Sequence, residues 1–235
     1  MSGPPGGGDV SDPDEHGPDQ PDFPATPPLG REHVAQQPPG QPLDDFPTHT
    51  ASVRSLLHRA HHRDLGPWWF SSAGGRFDLP TPRGTCYLAD DPLVALRERI
   101  GVVLGSAEQV PASLLEETVV SRLHLPRPHR VADLTARRAT RFGATRELET
   151  MVPYAVPQAW ALALAAVGHE GVRYGPRFST GAVTSIAVFG AAGAGPGDVD
   201  AVPVPAVDLP GAPLPLRRPR RDDLTVVKPP RTRGR

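Results

Sequence analysis

Arg76, Tyr87 and Glu98 fall in one short stretch, GRFDLPTPRGTCYLADDPLVALRERIG, which runs from Gly75 to Gly101. The first lies in a turn, the second in an expected strand and the third in an expected helix. These elements are neighbours in sequence, so a cation, a ring and a carboxylate can converge on one cleft. A guanidinium fork matches the oxygens of phosphate or carboxylate groups. A carboxylate suits a centre that develops positive charge. Each residue also has a plainer reading: Arg76 in a surface ion pair, Tyr87 in the core, Glu98 paired with a neighbouring arginine.

The elements that would hold them are legible locally. Asp91 is a good N-cap, Pro92 stands at the first helical position and Gly101 is read as the helix stop. Leu93, Leu96 and Ile100 recur at helical spacing, so one face is buried. Thr85–Ala89 reads as a strand between Gly84 and the Asp90-Asp91-Pro92 turn. Upstream, 54–61 reads as a first strand carrying Arg59. Downstream, 101–111 is loop-like, with a helical turn over 111–117. Thr118–Leu125 and Arg130–Leu134 are expected strands, and 135–150 a mostly polar, helical segment. Gln158–Val167, rich in alanine and leucine, is a helix set deep against the sheet. Val172–Tyr174 and Thr184–Phe189 close the folded part.

Composition limits the rest. The chain has 235 residues, with 31 prolines, 24 glycines and a formal net charge of −1. That balance carries no nucleic-acid signature for the folded domain. The single cysteine, Cys86, excludes an internal disulfide and a cysteine-rich zinc site, and fits a reducing cytoplasm. No signal peptide opens the sequence, and no apolar run is long enough to span a bilayer, so a soluble cytoplasmic protein without a membrane partner is expected. Residues 1–50 read as a disordered, acidic, Pro/Gly-rich tail, 51–190 as the folded domain, and 191–235 as a linker ending in a basic disordered tail.

Other candidates have bland readings. His58, His61 and His62 tempt a metal assignment, but on a strand His61 and His62 face opposite sides, so no metal is expected. Pro67-Trp68-Trp69-Phe70 reads as core or as the interface of a homodimer. Gly74-Gly75 is a turn and not a dinucleotide fingerprint. Glu116, Glu117 and the arginines 137, 138, 141 and 146 read as solvated.

Several blocks in order resemble the RES domain family: SLLHRAHH, GGRFDLP, GTCYLADDPLVALRE, RVADLT, PQAWALALAAVGHEGVRY and IAVFG, over about 54–190. The resemblance implies a compact α+β fold akin to ADP-ribosyltransferases, with a mixed sheet and packed helices. It implies cleavage of NAD⁺ at the nicotinamide–ribose bond by phosphorolysis or hydrolysis, with NAD⁺ as substrate and no resident cofactor. It also implies the toxin half of a toxin–antitoxin pair, whose partner is an Xre-like helix-turn-helix antitoxin inserting into the cleft. Carried over from the family, Arg59 and Arg76 clamp the pyrophosphate, Glu98 faces the ribose and Tyr87 lines the nicotinamide pocket. The family's serine follows a strand tyrosine in a Tyr-Pro-Ser-like turn. Here the turn reads Tyr174-Gly175-Pro176-Arg177-Phe178-Ser179, so Ser179, or Thr180, would supply the hydroxyl from a shifted loop and Arg177 a phosphate contact. Transfer of ADP-ribose to a macromolecule, and a RES-like binding module without turnover, are the competing readings.

Overall fold

A sheet of eight strands dominates the fold, and its two faces explain most of the apolar pattern. The computed structural model describes residues 36–72, 74–104, 109–197 and 199–216. The acidic tail up to 35 and the basic tail from 217 lie outside the described residues.

In chain order the strands are β1 (Thr48–Ala51), β2 (Leu57–His62), β3 (Trp69–Phe70), β4 (Arg83–Ala89), β5 (Gln109–Pro111), β6 (Thr118–Leu123) and β7 (His129–Asp133). They continue with β8 (Gly171–Tyr174), β9 (Ser185–Ala191), β10 (Gly193–Ala194), β11 (Val204–Pro205) and β12 (Leu214–Leu216). The helices are α1 (Pro92–Leu104), α2 (Ala112–Glu116), α3 (Glu147–Thr150) and α4 (Ala155–Ala166). A 3₁₀ segment, Arg137–Phe142, precedes α3. The large sheet has the order β1-β7-β8-β9-β4-β2-β6-β11. Its β7–β8 pair is parallel and its other pairs are antiparallel. This is a mixed α+β architecture, as the sequence implied.

One face of the sheet packs against α4. Trp160, Ala161 and Leu164 are buried there with Val172, Tyr174, Ala187 and Phe189. On the other face, Leu57, Cys86, Leu88, Leu123, Val131, Ile186 and Val188 form a second cluster under Trp68. Of the aromatic patch, Trp68 is core at 4 % exposed and Phe70 packs partly buried against this cluster, whereas Trp69 is exposed. A third cluster joins α1 (Leu96, Ile100) to Val110, Leu115, Val120 and Ala206.

Three boundaries differ from the sequence reading. Residues 36–50 are not tail: Leu43 and Phe46 are each 3 % exposed, and β1 pairs with β7 at the edge of the sheet. Phe46 lies 5.1 Å from the Phe142 ring and 6.1 Å from Trp160. Two apolar anchors suffice where the surrounding prolines dilute the composition. Residues 204–216 are likewise packed, with β11 on β6, β12 on β5 and Ala206 fully buried. Gly101 does not stop α1, which runs on to Leu104. Its lack of a side chain has another cause, given below. Asp91 does cap the helix, accepting the Leu93 and Val94 N–H groups at 2.8 and 3.0 Å, a contact worth about 1 kcal/mol.

Candidate active site

β4 is paired along its whole length with β9, and β2 with β6, but β2 and β4 share only the His58–Ala89 pair. Beyond that pair the two strands part, and α1 lies across the gap. A cavity of about 270 Å³ opens there, walled by Arg59 and Ala60 from β2, Tyr87, Leu88 and Ala89 from β4, and Ala95, Glu98 and Arg99 from α1. Gly75, Arg76, Tyr154, Tyr174, Phe178 and Ser185 complete it. The expected Arg59, Arg76, Tyr87 and Glu98 therefore share one hollow.

Each is held differently. Arg76 is 7 % exposed; its Nη1 donates to the Met151 carbonyl at 2.9 Å and its guanidinium stacks on Tyr154 at 4.8 Å. Burial lowers its pKa, while Tyr154, Tyr174 and Glu98 favour the charge. Arg59 spans the gap between the strands. Its Nη1 donates to the carbonyls of Pro67 (2.8 Å) and Trp69 (2.5 Å) and contacts Cys86 Sγ at 2.7 Å. One nitrogen is thus committed to the fold, and the rest of the fork remains for a ligand. Cys86 is fully buried, which pushes its thiol up to about 11, against the pull of Arg59.

Glu98 lies on the face of α1 opposite the buried Leu96 and Ile100, the face it shares with Val94, Ala95 and Gly101. Its Oε1 accepts the Phe178 N–H at 2.8 Å. Burial raises its carboxyl above the usual range; the Phe178 N–H and the Arg76 charge oppose that rise. The Phe178 ring lies flat against the helix backbone at Gly101, where an added Cβ would stand 2.1 Å from it. Gly101 is the seat of the residue that closes the cavity wall.

Tyr87 lines the cavity, but its hydroxyl is engaged by the protein itself. Its hydroxyl donates to Asp78 Oδ1 at 2.7 Å and accepts the Phe77 N–H at 2.9 Å. The phenol is spent on the Gly74–Asp78 turn, and only the ring faces the cavity. Asp78 also accepts Ser71 Oγ and the Gly74 and Gly75 N–H groups, at 2.7, 3.1 and 2.8 Å. It fixes the turn that presents Arg76. A Cβ on Gly75 would lie 2.5 Å from Asp78 Oδ1 and 2.6 Å from the Tyr87 oxygen, so the turn admits no side chain there.

The remaining candidates fall outside the wall of the cavity. Ser179 Oγ is buried without a hydrogen-bond partner, one residue beyond Phe178, and is not part of the lining. Thr180 is exposed. Arg177 is exposed and packs over the Phe178 ring at 5.1 Å, near enough for its charge to act on Arg76 and Glu98. His61 bonds Ser121 Oγ and the His62 carbonyl, and no cluster of metal-binding side chains occurs among the described residues. Tyr154, Tyr174, Phe178, Ser185 and Arg99 are cavity residues that sequence reasoning missed. Alternation told which strand residues share a face, but not which end of a strand meets a gap in the sheet.

The lining carries three guanidinium groups and one carboxylate. None of the three arginines forms an ion pair among the described residues. The cavity is thus set for a ligand with about two negative charges, beside one buried carboxylate and several ring faces.

Comparison with known proteins fits the blocks seen in the sequence. The family model described as "RES domain" matches residues 56–217. Among solved structures, a chain of the M. tuberculosis MbcT–MbcA toxin–antitoxin complex superposes with a TM-score of 0.49 at 18 % identity, over 60 % of this chain and 76 % of that one. No curated protein matches. With the family model spanning well over half its length, this chain belongs to the RES domain family.

Proposed function

We propose that the protein cleaves NAD⁺ at the nicotinamide–ribose bond, with inorganic phosphate or water as acceptor, and that it is the toxin of a toxin–antitoxin pair. The observation that carries this reading is the surplus of two positive charges around one buried carboxylate in a single cavity. A dinucleotide pyrophosphate carries two negative charges. Arg59 and Arg76 hold its oxygens, with Arg99 at the mouth.

The chemistry needs little more. As the C1′–N bond breaks, its electron pair leaves with nicotinamide, which departs as a neutral pyridine and needs no general acid. The ribose passes through an oxocarbenium-like state, as in glycoside cleavage. Glu98, held by the Phe178 N–H through one oxygen, faces that charge with the other. An oxygen of phosphate or water then bonds to C1′, and water loses a proton in doing so. Tyr87, Tyr154 and Phe178 provide ring surface for the nicotinamide. An antitoxin of the Xre-like helix-turn-helix type would silence the enzyme by covering this opening.

Release of nicotinamide from NAD⁺ by the purified full-length chain, with and without phosphate, tests the activity. Phosphate-dependent release marks a phosphorylase, and phosphate-independent release a hydrolase. A folded protein that releases none under either condition refutes the proposal.

A further inference from the structure

Ser185, the first residue of β9, is 2 % exposed and lines the cavity, yet its Oγ has no hydrogen-bond partner. A buried hydroxyl left unpaired is costly, so it calls for an explanation. Ser185 is paired across the sheet with Tyr174 on one side and Ala89 on the other, which puts the three in one row beneath the opening. The Ser185 hydroxyl is close enough to act on the Tyr174 phenol, but the two do not meet in hydrogen-bond geometry. Glu98 also acts on Tyr174 across the same space. The carboxylate of Glu98 and two hydroxyl-bearing residues, Tyr174 and Ser185, therefore line the same cavity.

We propose that Ser185 and Tyr174 form, together with Glu98, a subsite for a vicinal diol, that of the ribose on the nicotinamide side, with Ser185 touching the substrate directly. The proposal rests on the dinucleotide reading above and adds to it Ser185, outside the family's motif positions, and a ligand contact for Tyr174, the tyrosine of the family's turn. The chemistry suits a diol. Each ribose hydroxyl both donates and accepts, so one can donate to Glu98 and accept from Ser185 while its neighbour bonds Tyr174. A carboxamide also offers two N–H donors and an acceptor oxygen, and analogues lacking a ribose hydroxyl tell the two ligands apart. Ser179 does not qualify, because it is off the cavity wall.

The test compares the full-length protein with its Ser185→Ala variant on NAD⁺ and on analogues lacking the 2′- or the 3′-hydroxyl of that ribose. Ser185→Ala should lower kcat/KM for NAD⁺ by about 10–100-fold, the effect of losing one buried contact to a hydroxyl. On the analogue lacking the contacted hydroxyl, variant and parent should agree within about twofold. Tyr174→Phe should show the same pattern with the other analogue. Unchanged kcat/KM on NAD⁺, or an equal loss on NAD⁺ and both analogues, overturns the subsite. Should the parent protein release no nicotinamide, the enzymatic reading fails by itself. Calorimetry with ADP-ribose and its 2″- and 3″-deoxy forms then decides the subsite. Weaker binding of a deoxy form by the parent but not by Ser185→Ala supports it, and equal affinity for all three ligands overturns it.

Discussion

On the proposed function, activity turns on Glu98, and the surroundings of this residue make two expectations. Glu98→Gln keeps the size and the Phe178 contact but removes the charge. Turnover should fall by about 10²–10³-fold, as when one electrostatic contact to a transition state is lost, and steady-state rates of nicotinamide release measure it. Burial also raises the folded-state pKa of this carboxyl above its unfolded value. Its charge is therefore a cost to the fold at neutral pH, relieved as the pH falls through the raised pKa. Activity needs the charged form, so it should decline in that window while this group adds nothing to unfolding. A pH–rate profile with its acid limb above the ordinary glutamate range, and a Glu98→Gln variant that is at least as stable as the parent above that window, are the expected pair of results. If Arg76 clamps the pyrophosphate as proposed, Arg76→Ala should raise the KM for NAD⁺ more than it lowers kcat.

Among the elements, α1 and the loop after β8 act as one device. Glu98 holds the loop through the Phe178 N–H, and Glu149 holds it through the Gly175 N–H at 2.9 Å. Gly101 gives the Phe178 ring its seat. Gly101→Ala should favour the isolated helix by about 1 kcal/mol, yet it drives a methyl into the ring. The expected outcome is loss of NAD⁺ turnover of at least tenfold with a small change in melting temperature, because the ring is displaced while the core of α1 stays packed. Melting and nicotinamide-release assays on the same preparation check both parts. An active Gly101→Ala variant would show that Phe178 does not close the cavity.

At the scale of the molecule, the segments on either side of the central motif are part of the fold. β1 and the residues before it cover α4 and the 3₁₀ segment. Gln36 binds Thr145 and Gly143, Trp160 Nε1 donates to the Gln37 carbonyl, and Phe46 fills the space between Phe142 and Trp160. Phe46→Ala should cost about 3–5 kcal/mol, the usual range for emptying an aromatic site in a core. Denaturant unfolding measures it. A cost under about 1 kcal/mol would mean that the N-terminal segment is only loosely applied.

The central motif could be read without the fold because its signals are local. A cap at Asp91, a helical repeat of Leu93, Leu96 and Ile100, and the strand at Tyr87 depend on near neighbours in the chain. Arg76, Tyr87 and Glu98 followed from their nearness along the chain and Arg59 from the resemblance to the family, and all four line one cavity. Tertiary structure decided the rest, because it turns on groups far apart in sequence. Tyr87 gives up its hydroxyl to Asp78, Gly101 makes room for Phe178, and the parting of β2 from β4 opens a cavity whose wall includes Ser185 and not Ser179. Phe46 and Ala206 are single apolar residues in Pro-rich stretches, invisible to any average over composition, and only their packing brings those stretches into the domain.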